Sequence, residues 1–439
     1  MKIFVTGLGT LHWGRLEYGN IGNYYIIAPL FRMLHKVFPQ ATITTTLQLT
    51  NEFAEKEKII VLPMELYYGW RKDSIDTSEA LAELAIAYVY RATGTYIAKT
   101  AYINEITNAD LIVDFSGDMW GDNSDTMGEN RFLVELLKIR VAQLLGKKTV
   151  LFASSPGPIT NERTIEFAKI VYANYDAVIN REAFSTEVMR KSGFDVSKTK
   201  DFACPAWLFN KDYYPAEVDS NAIRRNEHFS NERKNIGLIL STYSLPGGSF
   251  DSWERNDHDF DDFVMLVEHI VNVKHERVFL ISHSNGFELP PNFKRIHWRD
   301  HKMISRLYEL LLSRGKTDME NVKKIDTLYQ PWEMHALIGN LDMLISGRVH
   351  GAVAGLEQAV PTIAFDYKNG PLAHKMSGFF DVIGMERYVI QRDDCNFIRY
   401  FDTAYQELNQ IKDNLLVRCS IVRKLAEDSF VELQNVIKD

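Results

Sequence analysis

The stretch Leu341–Tyr367, LDMLISGRVHGAVAGLEQAVPTIAFDY, decides how the whole chain is read. An apolar run ends at Ser346 and Gly347 turns the backbone. Arg348-Val349-His350 then lead into a segment whose Gly351, Ala352, Ala354 and Gly355 allow a helix to lie close against its neighbours. Pro361 opens a second apolar run. Strand, helix and strand in succession make a βαβ unit, which sets its strands parallel. The start of such a helix offers unsatisfied N–H groups and the positive end of a dipole, and here it also carries a guanidinium and an imidazole, a set suited to an anion. Spacing alone is equally compatible with an ordinary helix start, a solvated arginine and a hydrogen-bonded histidine.

The same alternation extends in both directions. KIFVTG reads as a first strand, Gly19–Gly22 opens a helix to about Val37, and ATITTTLQL is a second strand. A long helix is predicted from about Ser78 through Asn104, followed by strand DLIVDF, a helix closed by Gly146, strand KTVLFAS, helix ERTIEFAKIVYANY, strand DAVIN and a helix closed by Gly193. Pro, Asn and mixed charges at 210–234 break the rhythm and predict a linker. The alternation resumes at NIGLILS and runs to PTIAFDY; from about Asn396 the tail is helical. The fold class is therefore α/β: two doubly wound, Rossmann-like domains facing a cleft, at 1–209 and 235–395, with a C-terminal helical segment at 396–439.

Composition narrows the function. With 58 acidic against 50 basic residues the formal charge is −8, which disfavours a protein that wraps nucleic acid, because neutralising phosphates takes a Lys/Arg excess. A hydrophobic share of 46% is enough for two cores. Three separated cysteines support neither a disulfide framework nor a zinc ribbon. The N-terminal apolar run is too short for a signal peptide, and no apolar stretch approaches the ~18 residues of a membrane span. A cytoplasmic protein is expected, working in solution or at the inner face of a membrane. Glycine-rich dinucleotide loops, P-loops, zincin motifs and nucleophile elbows do not occur.

Other clusters read plainly. The run NDHDFDDF, Asn256–Phe263, is a cap and an acidic first turn rather than a metal site; Trp332 and Glu333 begin a helix after Pro331; His283 closes a strand. Taken alone, Asp118 in SGDMWGDN is a turn aspartate, and Arg181 a surface cation near Asp176 and Glu182. No metal site is expected.

Four blocks in sequence order resemble the polysaccharide pyruvyl transferase family. The opening stretch matches its C-terminal signature at Asp342, Ser346, Arg348, His350, Gly351, Pro361, Tyr367 and Lys368. Asn180-Arg181-Glu182 with Ser185 and Gly193, followed by Asp201–Leu208, resembles a second block. DLIVDFSGDMWGDN, with Gly117 and Asp118, is similar to a third, and Gly19-Asn20-Ile21-Gly22-Asn23 to the N-terminal Gly-Asn-x-Gly-Asp turn. Asn23 and Tyr24 depart from the family's usual Asp-Glu, which removes two carboxylates from that turn.

The resemblance implies a GT-B-like transferase that moves the enolpyruvyl carbons of phosphoenolpyruvate onto two hydroxyls of a surface-polysaccharide sugar, free or lipid-linked, to give a pyruvate ketal. No cofactor is implied, phosphoenolpyruvate being a substrate. The implied partners are that donor and a glycan; the oligomeric state and a peripheral membrane contact are left open. Family position assigns His350 and Asp118 to catalysis, and Arg348, Arg181, Val349, Gly351, Lys368 and His283 to the donor. The acceptor loops would carry Gly19, Asn20, Gly22, Asn23 and Gly117. The alternatives are a GT-B glycosyltransferase using a nucleotide sugar and a glycan-binding or assembly protein without catalysis.

Overall fold

The computed structural model describes the chain except residues 10–11, 71–72, 129, 243–244, 246–254, 367–373, 391–395 and 439. The first half runs β1 (Lys2–Thr6), α1 (Ile21–Val37), β2 (Thr42–Thr45), α2 (Asn51–Lys56), β3 (Ile59–Val61), α3 (Asp73–Thr93), α4 (Ala101–Asn108), β4 (Leu111–Asp114), α5 (Arg131–Leu144), β5 (Lys148–Ser154), α6 (Ile165–Ala173), β6 (Ala177–Asn180), α7 (Phe184–Lys191) and β7 (Thr199–Asp201). Its seven strands form one parallel sheet in the order β3-β2-β1-β4-β5-β6-β7.

The second half runs α8 (Ser220–Asn226), β8 (Asn235–Ile239), α9 (Asp261–Glu268), β9 (Arg277–Ile281), the hairpin β10 (Gly286–Glu288) and β11 (Lys294–Ile296), α10 (Asp300–Arg314), β12 (Val322–Lys324) and α11 (Pro331–Ile338). Then follow β13 (Met343–Ser346), α12 (Val349–Glu357), β14 (Thr362–Phe365), α13 (His374–Val382), β15 (Val389–Ile390), α14 (Phe397–Gln406) and α15 (Leu408–Lys438). Six of these strands make a second parallel sheet, β12-β9-β8-β13-β14-β15.

Parallel sheets are covered on both faces, so β4, β8 and β13 are apolar but for one end residue each, Asp114, Asn235 and Ser346, and are buried throughout. Trp120, Phe132, Tyr102, Tyr172 and Tyr175 fill the first core, and Ile236, Leu238, Phe279 and Leu344 the second. Each such apolar side chain contributes about 1.5–3 kcal/mol by leaving water. In each sheet the winding direction reverses beside the central strand, between β1 and β4 in the first and between β8 and β13 in the second. The crevice outside the strand ends at such a reversal is where doubly wound sheets bind ligands.

The division of the chain differs from the expected one. One unit comprises Met1–Arg15, Leu30–Pro205 and Leu425–Asp439; the other comprises Leu16–Pro29 and Ala206–Lys424. Two helices, α1 and α15, therefore contribute to both. The stretch read as a linker, 210–234, belongs to the second unit and contains α8, whose N-cap Asp219 accepts from the Asn221 N–H at 2.8 Å. The end of α15 completes the first unit: Phe430 meets Phe152 with ring centroids 4.9 Å apart, Gln434 donates to the Val37 carbonyl and Lys200 pairs with Glu432.

The helix expected over Ser78–Asn104 is two helices. Gly94, at φ 72°, ends α3, and Thr100 caps α4 by accepting from the Ile103 N–H at 3.1 Å. The acidic run at Asn256–Phe263 is a helix start, with Asp259 Oδ2 accepting from the Asn256 N–H at 3.1 Å. Among the described residues no helix is long and apolar enough to cross a membrane.

Candidate active site

The residues expected to carry chemistry fall into two groups, one at each sheet's reversal. In the first unit, β4 ends at Asp114 and the chain turns through Gly117, at φ 61°, into a short 3₁₀ turn holding Asp118. Arg181 follows β6. Its Nη2 lies 3.7 Å from Asp118 Oδ1 and its Nε donates to Ser155 Oγ at 2.9 Å. Asn123 Nδ2 adds a hydrogen bond to Asp118 Oδ2 at 3.3 Å. Arg181 is buried while Asp118 is about a quarter exposed, so the pair presents its carboxylate outward. Arg181 is thus buried rather than a surface cation, while Glu182 accepts from the Ser185 N–H at 3.0 Å and Asp176 sits near Lys148.

Beneath this turn lies a buried acidic pair that periodicity did not disclose. Asp114 accepts from Tyr175 OH at 2.5 Å and from Ser116 Oγ, which also lies 3.2 Å from Glu135 Oε1. Burial raises both carboxyls, and the charge of Asp114 raises Glu135 further. A Cβ on Gly7, at φ 125°, would come within 2.7 Å of Asp114 Oδ1 and Ser116 Oγ, so the turn after β1 closes over the pair only because residue 7 is glycine.

The second group gathers in the second unit, and the turn Gly19–Asn23 belongs to it rather than to the N-terminal domain. Asn20 pairs with Ser284 in an isolated bridge, the Gly19 carbonyl accepts from Asn285 N–H and Ser284 Oγ at 2.9 Å each, and the Asn20 side chain accepts from the Gly22 N–H at 3.2 Å. The Asn23 N–H bonds the Asn20 carbonyl at 2.9 Å. Gly22 is pressed against two histidines. A Cβ there would stand 2.6 Å from His350 Cβ and 3.2 Å from His283 Cε1.

His350 sits in the first turn of α12, half-buried and edge-on to Phe379. Val349 begins that helix. Arg348 is its N-cap, with Ser346 Oγ accepting from the Arg348 N–H at 3.1 Å. Ile239 Cδ1 and Ser346 Oγ would lie 3.0 and 3.1 Å from a Cβ on Gly351, so the helix approaches its sheet there more closely than a larger residue allows. Asp342, which opens the signature, accepts from the Asn235 N–H at 2.7 Å and ties β13 to β8.

The Arg348 guanidinium is buried and engaged by Asp300, which takes Nε at 3.0 Å on Oδ2 and Nη2 on Oδ1. Asp300 also accepts from the Ser284 N–H at 2.8 Å, so one carboxylate joins the loop after β9 to the head of α12. Nothing in the spacing disclosed this partner, which lies 48 residues away.

His283 is fully buried, and among the described residues neither ring nitrogen has a hydrogen-bond partner. Desolvation, and then the neighbouring Arg348 charge, push its pKa down to about 3, so the ring is a neutral imidazole. Tyr25 bridges it to His335, another missed residue, with ring centroids 5.7 and 5.2 Å away. His335 Nδ1 is 2.6 Å from Tyr214 OH, and Nε2 is 3.5 Å from Glu357, which Arg423 also contacts. Burial lowers His335 to about 3 and raises Glu357 to about 7. Lys368 lies outside the described residues.

Among proteins of known role, the amylovoran biosynthesis protein AmsJ of Erwinia amylovora is 21% identical over 402 residues, 88% of this chain and 86% of AmsJ. The fold is similar to a glycosyltransferase of Rickettsia africae, with a TM-score of 0.59 at 12% identity over 100% of this chain and 98% of that one. HepE of Anabaena, solved with UDP, gives a TM-score of 0.57 at 10% identity over 100% and 99% of the two chains. These likenesses establish the fold as GT-B-like, in keeping with the two parallel sheets. The model of the polysaccharide pyruvyl transferase family matches residues 20–369, and with the signature now seen as the head of α12 at a sheet reversal, the chain belongs to that family of transferases.

Proposed function

We propose that the protein transfers the enolpyruvyl carbons of phosphoenolpyruvate to two hydroxyls of a sugar in a polysaccharide or its lipid-linked precursor, in the cytoplasm or at the membrane's inner face. The observation that carries this reading is the placement of Arg348 and His350 together at the head of α12, beside the loop of His283. A helix start with a guanidinium suits a phosphate or carboxylate, and imidazole suits proton transfer near neutral pH.

The chemistry follows from the donor. A proton goes to the methylene carbon, leaving an oxocarbenium centre at the carbon bearing phosphate. One sugar hydroxyl adds there and loses its proton to a base. The bond from that carbon to the phosphate oxygen then breaks, inorganic phosphate departs and a second hydroxyl closes the ketal. His350 is the proposed acid. His283, held neutral by burial and the neighbouring Arg348 charge, is better suited to packing and orienting than to donating. Asp118, backed by Arg181 and Asn123, is the proposed acceptor of the hydroxyl proton. Asp300 fixes the plane of the Arg348 fork, whose permanent charge is what an anion would meet.

Incubation with phosphoenolpyruvate and candidate glycans tests this, reading phosphate release and product mass. Phosphate release coupled to a ketal-bearing glycan is the expected result. Turnover of a nucleotide sugar in place of phosphoenolpyruvate would replace it with glycosyl transfer, since fold does not fix donor.

A further inference from the structure

The structure brings together three metal-ligating side chains that are scattered along the sequence and outside the family signature. His297 follows the hairpin strand β11, His301 lies in the first turn of α10, and Asp326 follows β12. Their ligand atoms all lie within 4.8 Å of one another. His301 Nε2 is 2.8 Å from Asp326 Oδ1, and the two imidazoles stack with centroids 3.8 Å apart at 27°.

We propose that these residues bind a divalent transition metal of the zinc type, with water completing the coordination. Two imidazoles and a carboxylate are a donor set that such ions take, and three protein ligands leave an open position. Tetrahedral ligands about 2.1 Å from one ion stand about 3.4 Å apart, so atoms up to 4.8 Å apart must close by up to about 1.4 Å, within the reach of a side-chain rotation. His297 and Asp326 are exposed, so their side chains have room to make it. The ring of His301 is already turned for the task. Its Nε2 faces Asp326, while Nδ1 is 3.4 Å from Ser305 Oγ, the kind of outer partner that fixes tautomer and orientation in metal sites.

Without metal, the carboxylate is served by a cation. Lys324 Nζ lies 3.1 Å from the same Asp326 oxygen. The ion would displace this ammonium, so Lys324 competes with metal. An ion here ties the end of the hairpin, the start of α10 and the end of β12 together. His301 adjoins Asp300, so the clamp would also steady the turn that holds the Arg348 fork. Metal binding is measured without any donor or glycan, and its outcome is independent of the transfer reaction.

The test is titration of the full-length, chelator-treated protein with Zn²⁺ by calorimetry and with Co²⁺ by visible absorption. One site per chain is expected, with a Co²⁺ band of low-symmetry coordination. His297→Ala and His301→Ala should each weaken Zn²⁺ by about tenfold or more, with metal-free thermal unfolding unchanged. Lys324→Met should bind more tightly than wild type. His258→Ala, a substitution at an exposed histidine elsewhere, should bind as wild type. Absence of stoichiometric binding, or histidine variants that bind as wild type, or a weakened Lys324→Met, overturns the site.

Discussion

The strand-end clusters of the two sheets solve the same electrostatic problem in opposite ways. Under the Gly117–Asp118 turn, Asp114 and Glu135 are buried against each other and against tyrosine hydroxyls, and burial raises both toward the protonated form. Under α12, Asp300 is buried against Arg348, and the cost is met by an opposite charge, while His283 and His335 stay neutral beside it. The first sets together two carboxyls whose hold on a proton burial strengthens. The second keeps a fixed cation beside the half-buried His350.

The largest expected effect breaks the charge pairing. Asp300→Ala leaves a buried guanidinium without its carboxylate and should destabilise the second unit by about 3–5 kcal/mol, read by denaturant unfolding. A loss below about 1 kcal/mol would mean that Arg348 finds other compensation.

Next is pH. In the first unit the carboxyl pair has raised pKa values, so its contribution is complete below the ordinary carboxylate range and is lost as pH rises through the folded values. In the second unit His283 and His335 are lowered from 6.5 to about 3, so theirs is complete above 6.5 and is lost as pH falls. Glu357, raised from 4.5 to about 7, opposes one of these imidazoles, leaving a net of one proton between pH 4.5 and 6.5. The second unit should therefore gain about 1.4 kcal/mol per pH unit across this window while the first declines. Hydrogen exchange resolved to β4 and α5 on one side and α11 and α12 on the other measures both slopes. Glu135→Gln should flatten only the first, and parallel slopes would dissolve the comparison.

His350→Gln sharpens the proposed division of labour. It should preserve donor binding and lower turnover by roughly 100-fold. Normal turnover with weaker donor binding would reduce His350 to an anion ligand. The smallest effect is steric: Gly22→Ala places a methyl 2.6 Å from His350 Cβ and should cost about 1–3 kcal/mol, with impaired turnover from a displaced imidazole. Unchanged stability and rate would show that the turn can move aside.

Much of the fold was legible because buried parallel strands leave apolar runs and amphipathic helices leave a 3.6-residue period. The signature also marked where Arg348 and His350 would stand. What escaped notice was set by tertiary contact. Asp300 and His335 bear no local sign of their partners at Arg348 and Glu357, and the polar hairpin β10–β11 carries no apolar alternation to betray it. The two helices between Ser78 and Asn104 were missed for a different reason, since Gly94 and the Thr100 cap were both in view. The turn Gly19–Asn23 was correctly located yet assigned to the wrong unit, because sequence order does not say with which sheet a turn will pack.

The passage of α15 into the first unit has a consequence for biosynthesis. The first unit needs residues translated long after its own strands, because Phe430 seats on Phe152 and Gln434 on the Val37 carbonyl. At about 5–20 residues per second the nascent N-terminal sheet must wait many seconds with the seat of Phe430 uncovered, while the intervening unit emerges. All seven strands of that sheet have been made by then, and a chain cut short before Phe430 would carry them with the seat uncovered.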